Sequence, residues 1–128
     1  VLVESGFFKD GLKVGEWCYR FATGDTMLVE RHENGMTYML EYADKSGKRT
    51  VKKGKGVIEE FTESGKLKVR TQYAEGLPDG LFEEYFSGGS PKVKGYYIKG
   101  LKDSTWTEYF PTGKVRKLMT YKSGVLHG

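Results

Sequence analysis

The chain repeats itself with a period of 24 residues. EGLPDGLFEEYFSGG, residues 75–89, returns as KGLKDSTWTEYFPTG, residues 99–113. Gly76, Gly100 and Gly124 keep this step, and so do Gly65, Gly89 and Gly113. Three more columns are Tyr73/Tyr97/Tyr121, Phe61/Tyr85/Tyr109 and Ile58/Phe82/Trp106. Near the N-terminus the step runs from Gly11 to Gly35, with Trp17 in the Trp106 position and Phe21 in the Phe110 position. The middle departs from it, since Gly47 precedes Gly65 by only 18 residues and KGKG stands where other units carry EGLPDG or KGLKDS. A fixed period of this size is the mark of a repeat architecture, in which each unit buries its neighbour. The chain reads as one repeat domain, 1–128, with units at about 7–35, 36–54 (atypical), 55–76, 77–100 and 101–124 and a truncated tail at 125–128.

The local chemistry of each unit is that of a β-hairpin. In TWTEYFPTGKVRKLMTY, residues 105–121, Pro111 presets the φ of a type I turn and Gly113 suits the left-handed residue that follows. Phe110 and Lys114 then close the loop, and simple counting sets Glu108 against Arg116 and Trp106 against Leu118. The same register sets Glu60 against Lys68 and Glu84 against Lys92, pairs of opposite sign that suit cross-strand neighbours. Alternation puts Trp106, Glu108, Phe110, Lys114, Arg116 and Leu118 on one face, and Tyr109, Val115, Lys117 and Met119 on the other. A single hairpin is marginal in water, so the hairpins must stack. The expected fold is all-β, an elongated antiparallel meander of stacked hairpins on the order of 40–50 Å long, with little or no helix.

Composition agrees with an ordered β protein: 14% aromatic residues and 18 glycines among 128 residues exclude a disordered chain. The net charge of +4 permits anionic partners without naming one. Cys18 is the sole cysteine, which rules out an internal disulfide. No apolar run reaches the roughly 20 residues of a membrane-spanning helix, so the chain reads as not transmembrane. The opening VLVESG has neither an initiator Met nor a signal-like pattern and reads as a mature or trimmed form.

DGLFEEYFSGG and STWTEYFPTGKVRKLMTYKSG resemble MORN-repeat variants, bacterial units of the form G-x-W-x-x-Y-x-x-x-G-x-[LV]-x-x-x-x-Y-x-x-G found in proteins that carry an antitoxin label. The likeness covers nearly the whole chain, with Phe82 and Ile58 in place of the Trp and Ser104 in place of a turn glycine. It implies a repeat scaffold of bacterial origin. YADKSGKRTVKKGKG, residues 42–56, resembles a spacer beside such repeats in cell-envelope proteins of the Bacteroides group, which implies an envelope or secreted location.

No residue pattern points to catalysis. His32 falls in the Tyr73/Tyr97/Tyr121 column, and His127 in the connector position of Asp79 and Asp103; neither has ligand spacing to Cys18, so no metal is expected. Cys18 has no base in view. Glu59-Glu60 and Glu83-Glu84 are adjacent strand residues that point to opposite faces, so neither pair can flank one bond. GKGVIEE lacks the helix that a phosphate loop requires. The chain is therefore expected to be no enzyme and to need no cofactor.

The remaining candidate is a surface. Trp17, Phe21, Phe82, Phe86, Trp106 and Phe110 fall in line beside basic residues that include Lys92 and Arg116. Two readings stand: a stripe that binds a protein segment, or aromatics that only cover the sheet while lysines pair with glutamates. The basic stretch KSGKRTVKKGKGV, residues 45–57, contains Lys52 and Lys53 and no acid, and suits an anionic lipid or an envelope glycan. No nucleic-acid module is present. Open sheet edges favour self-association or strand addition by another protein. The reading is a non-catalytic scaffold for protein–protein interaction, and the alternative is a peripheral binder of anionic lipid or envelope polysaccharide.

Overall fold

The computed structural model describes residues 2–21, 26–44 and 46–127. They form twelve strands: β1 (Leu2–Lys9), β2 (Leu12–Phe21), β3 (Thr26–Glu33), β4 (Met36–Ala43), β5 (Arg49–Lys52), β6 (Lys55–Phe61), β7 (Leu67–Ala74), β8 (Leu77–Tyr85), β9 (Pro91–Ile98), β10 (Leu101–Tyr109), β11 (Val115–Lys122) and β12 (Val125–Leu126). Strand order in the antiparallel sheet follows sequence order, and no helix occurs among the described residues. The all-β meander of hairpins expected from the repeat is the fold observed.

Two kinds of turn alternate along the chain. At one kind, Phe110 donates its N–H to the Lys114 carbonyl (2.8 Å) and Gly113 donates to Phe110 (2.9 Å), so Phe110 and Lys114 close the loop as read. Residues 44–48, 62–66 and 86–90 repeat both bonds. The other kind is a two-residue turn such as Lys99-Gly100 or Ser123-Gly124, both residues with positive φ (48° and 84°, 49° and 85°). That is the type I′ geometry whose twist matches its flanking strands. Between the closely spaced turn glycines Gly47 and Gly65 the shortening lies in the strands: β5 has 4 residues and β6 has 7, where β7 has 8 and β8 has 9.

The fold divides into two compact units, Val1–Gly56 with Tyr73–Leu77, and Val57–Gln72 with Pro78–Gly128. The second is organised around Trp106, which is 2% exposed. Its indole lies on Gly95 of the neighbouring strand, where a Cβ would come within 2.1 Å of the ring. The indole Nε1–H donates to the Tyr96 carbonyl at 3.0 Å. Phe82, opposite Gly95, stacks on the same indole (centroids 5.4 Å, 27°), while Tyr97 and Tyr121 meet it edge-on at 5.0 and 6.4 Å. Lys102 Nζ sits 4.7 Å from the ring centroid, a cation–π contact.

The first unit repeats this arrangement. Trp17 is 3% exposed and lies on Gly6, where a Cβ would come within 2.3 Å. It donates to the Phe7 carbonyl at 3.1 Å, meets Phe8 edge-on at 4.8 Å and carries Lys13 Nζ at 4.6 Å. His32 meets Trp17 at 6.4 Å and 80°, as Tyr121 meets Trp106 at 6.4 Å and 78°, so His32 does occupy the tyrosine column as a packing residue. Val29, Ala43 and Val51 are further buried apolar residues of this unit, and Ile58 and Met119 of the other. Burying an indole removes roughly 200 Å² from water, about 5 kcal/mol as an upper bound. An exposed ion pair contributes about 0–1 kcal/mol, so the two indoles dominate.

The counted register needs one correction. β10 pairs with β11 through Trp106↔Met119, Thr107↔Leu118 and Glu108↔Lys117, then slips to Tyr109↔Val115. A bulge leaves Arg116 without an opposite residue and moves every later side chain to the other face. Met119 (9% exposed), not Leu118 (60%), therefore joins Trp106 inside.

Replacing Gly95 by Ala should cost about 1–3 kcal/mol through overpacking of the Trp106 seat. Gly88→Ala, with nothing within 4 Å of the added Cβ, should stay within about 0.5 kcal/mol. Urea unfolding followed by tryptophan fluorescence compares them; equal midpoints would remove the seat from the account.

Candidate interaction surface

The bulge that shifts the register also aims the basic side chains. β8 and β9 slip as β10 and β11 do, from Glu84↔Val93 to Tyr85↔Pro91, which leaves Lys92 as the extra residue. Lys92 and Arg116 thus hold the same position in adjacent hairpins, each two residues beyond the residue, Ser90 or Lys114, that closes a three-residue loop. Their carboxylate partners sit where expected: Lys92 Nζ is 3.7 Å from Glu84 and Arg116 donates to Glu108 at 2.8 Å. Both pairs are substantially solvated, so each contributes about 0–1 kcal/mol and mainly fixes direction.

These cations line a cleft of about 280 Å³ whose other walls include Phe86, Val93, Tyr109, Phe110 and Pro111. The Lys92 ammonium lies 5.8 Å from the Phe86 ring centroid. The two loops are tied together by the Ser90 hydroxyl, which donates to the Pro111 carbonyl at 3.2 Å. Phe110 is exposed and Phe86 half-buried. The cleft is therefore an amphipathic groove: aromatic walls, two cations with their charges already partnered, and a floor of strand residues.

The structure divides the other sequence-derived candidates. Trp17, Trp106 and Phe82 belong to the indole packing described above, the two tryptophans buried and Phe82 half-buried. Phe21 ends β2, and its side chain lies outside the described residues. Lys52 and Lys53 are exposed at the end of β5 and its turn, with Lys52 directly opposite Lys55. Like charges so placed oppose pairing and keep that turn strongly basic.

Three structural roles were not read from the sequence. Gly6 and Gly95, each 11 residues before a tryptophan, are the seats of the indoles. Lys13 and Lys102, each four residues before the same tryptophans in GLKVGEW and GLKDSTW, are their cation–π partners. The third is the buried Glu83 with Tyr85: the Tyr85 hydroxyl donates to Glu83 at 2.6 Å, and Lys94 Nζ lies 3.7 Å from the same carboxylate. The Glu83 bond and burial push the Tyr85 hydroxyl up to about 12, with Arg70 acting weakly against them. Burial also raises Tyr97. Among the described residues, no group of three His, Cys, Asp or Glu side chains is placed to hold a metal ion, and no helix is long and apolar enough to cross a membrane.

Against known families, the profile described as MORN repeat variant matches residues 55–75, 78–99 and 102–123, together just over half of the chain. The chain belongs to the MORN repeat variant family. Its repeats are generally found in binding or scaffold proteins. No curated protein and no solved structure gives a significant match.

A tyrosine held above its ordinary value stabilises the fold below the unfolded value near 10, and that contribution is lost as pH rises through the folded value. Absorbance titration should show one tyrosine ionising near pH 12. Glu83→Gln should bring it back toward the ordinary range; a titration unchanged by the substitution would remove Glu83 as the cause.

Proposed function

We propose that this MORN-repeat chain is a non-catalytic scaffold for protein–protein interaction, of bacterial origin and working at the cell envelope. The observation that carries the reading is the cleft of Phe86, Lys92, Phe110 and Arg116, in which two successive repeats place an exposed or half-exposed phenylalanine beside a cation. Aromatic side chains in a pocket are the groups that anchor protein contacts. The tryptophans are occupied with packing, whereas the loop phenylalanines Phe86 and Phe110 line the cleft beside the cations. The non-catalytic part of the reading is supported by the carboxylates: Glu83, Glu84 and Glu108 each face a cation or hydroxyl of the sheet itself.

The partner is an extended or loop segment with an apolar side chain for the Phe86–Phe110 walls and carbonyl or carboxylate oxygens for Lys92 and Arg116. Affinity comes from the aromatic walls and orientation from the cations, because solvated charges contribute little. A second reading, binding of anionic lipid or envelope polysaccharide, is favoured by the Lys52, Lys53 and Lys55 turn, where like charges oppose one another without local compensation in register.

Capture from envelope and cytosolic fractions separates the two readings, comparing the native chain with Phe110→Glu/Arg116→Glu and with Lys52→Glu/Lys53→Glu. The first double substitution should weaken binding of the captured protein by about thirtyfold or more, the loss of a pocket anchor of about 2 kcal/mol. The second should leave it unchanged. Capture that survives Phe110→Glu/Arg116→Glu overturns the reading. Binding to anionic vesicles that is lost with Lys52→Glu/Lys53→Glu and fades with salt supports the alternative.

A further inference from the structure

Glycines of the two-residue turns hand their N–H groups to the preceding hairpin. Gly54 donates to the Leu40 carbonyl at 2.9 Å, Gly76 to Gly54 at 3.0 Å, Gly100 to Pro78 at 2.7 Å and Gly124 to Lys102 at 2.8 Å. The turns at Lys99-Gly100 and Ser123-Gly124 have a second tie. The Lys99 N–H donates to Asp79 Oδ2 at 3.2 Å, and the Ser123 N–H to Asp103 Oδ2 at 3.1 Å. In both, the aspartate stands 20 residues before its donor and the accepting carbonyl 22 residues before its glycine.

Asn34-Gly35, between β3 and β4, departs from this. Its φ angles of 51° and 76° match the 49° and 85° of Ser123-Gly124, so its two N–H groups are aimed as theirs are. Counting back 20 residues from Asn34 gives Val14, whose side chain accepts nothing. The carbonyl counted back from Gly35 is that of Lys13, and it is not reached. Among the described residues neither the Asn34 nor the Gly35 N–H has an acceptor. The packing agrees. A Cβ on Gly124 would meet Leu101 at 3.3 Å, whereas one on Gly35 would meet nothing within 4 Å. Leu12, the counterpart of Leu101, is 69% exposed against 49%.

The turn therefore stands off from the hairpin before it, and a cleft of about 390 Å³ lies between them. Leu12, Val14 and Met36 give it apolar walls, and Asn34 and Gly35 a polar end. Its charges favour an anion. Lys9 and Lys13 line it, the Lys13 ammonium held in place by donating to the Tyr19 hydroxyl at 2.8 Å. Of the two acids on its walls, Glu33 is paired with Arg31 at 3.2 Å, which leaves Asp10 as the opposing charge. His32 is bonded to Glu30 and Thr37. We propose that this cleft docks an acidic side chain of a protein partner. The Asp or Glu carboxylate accepts from the Asn34 and Gly35 N–H groups, in the role that Asp103 plays for Ser123, and an apolar neighbour lies against Leu12 and Met36. Successive N–H groups of a turn form a concavity suited to an anion, and bonds to an ionised carboxylate are the stronger kind. The site is separate from the Phe86–Phe110 cleft, and neither reading needs the other.

Amide NMR of the isotope-labelled chain tests this, with acetyl-Leu-Asp-Leu-amide and acetyl-Leu-Asn-Leu-amide as probes. The acidic peptide should shift the Asn34 and Gly35 signals saturably and leave Ser123 and Gly124, whose N–H groups are already taken, in place. The Asn peptide should bind about tenfold more weakly or worse, the loss of a charge-assisted bond. Val14→Asp supplies the carboxylate within the chain. It should slow hydrogen exchange at the Asn34 N–H and weaken the acidic peptide by about tenfold or more. Val14→Thr, close in shape and uncharged, should bind as the native chain does, which separates loss of the site from loss of the fold. Asn34 and Gly35 signals that do not move, an equal response to both peptides, or binding undiminished by Val14→Asp would overturn the proposal.

Discussion

An indole laid flat on a glycine of the next strand is the contact on which this fold depends. A hairpin repeat offers no second layer to cover its aromatic face, so the sheet must supply its own cover. The glycine lets a ring of about 200 Å² lie against the backbone instead of standing off from it. The indole N–H then finds a carbonyl of the glycine's neighbour, which satisfies the one polar atom that burial would otherwise strand. Aromatic edges and a lysine close the rim. Gly6–Trp17 and Gly95–Trp106 are two instances of one device, built 89 residues apart in the chain.

That device also decides what is left for function. With the tryptophans and Phe82 committed to packing, Phe86 and Phe110 at the hairpin loops line the cleft open to a partner. The loop phenylalanines acquire their cationic neighbours through the bulge: one extra residue per hairpin, Lys92 or Arg116, is turned toward the loop and held by a glutamate.

Much of this was legible in the sequence because the repeat exposes its own columns. Turn glycines at a constant step, Pro111-Thr112-Gly113 and alternating strands were enough to reach the hairpins, their closing pairs and the absence of helix among described residues. The glutamate partners of Lys92 and Arg116 were also within reach. What alternation alone could not give was the bulge, because one backbone residue out of register leaves composition and period unchanged while exchanging Leu118 for Met119 inside. Burial of the tryptophans was hidden for a different reason. It depends on a missing Cβ on the neighbouring strand, 11 residues away, and a glycine there reads equally well as a turn or a weak strand residue. The family pattern locates the repeats without assigning their partner.

Trp17 and Trp106 are the only tryptophans, so acrylamide quenching of tryptophan emission reads the central contact directly. If both indoles lie on their glycines, native emission is blue-shifted and quenching is several-fold weaker than in urea, with one class of shielded fluorophore. Quenching in the native state as efficient as in the unfolded chain would place the indoles in solvent, and would contradict both the packing described and the assignment of the loops as the free surface.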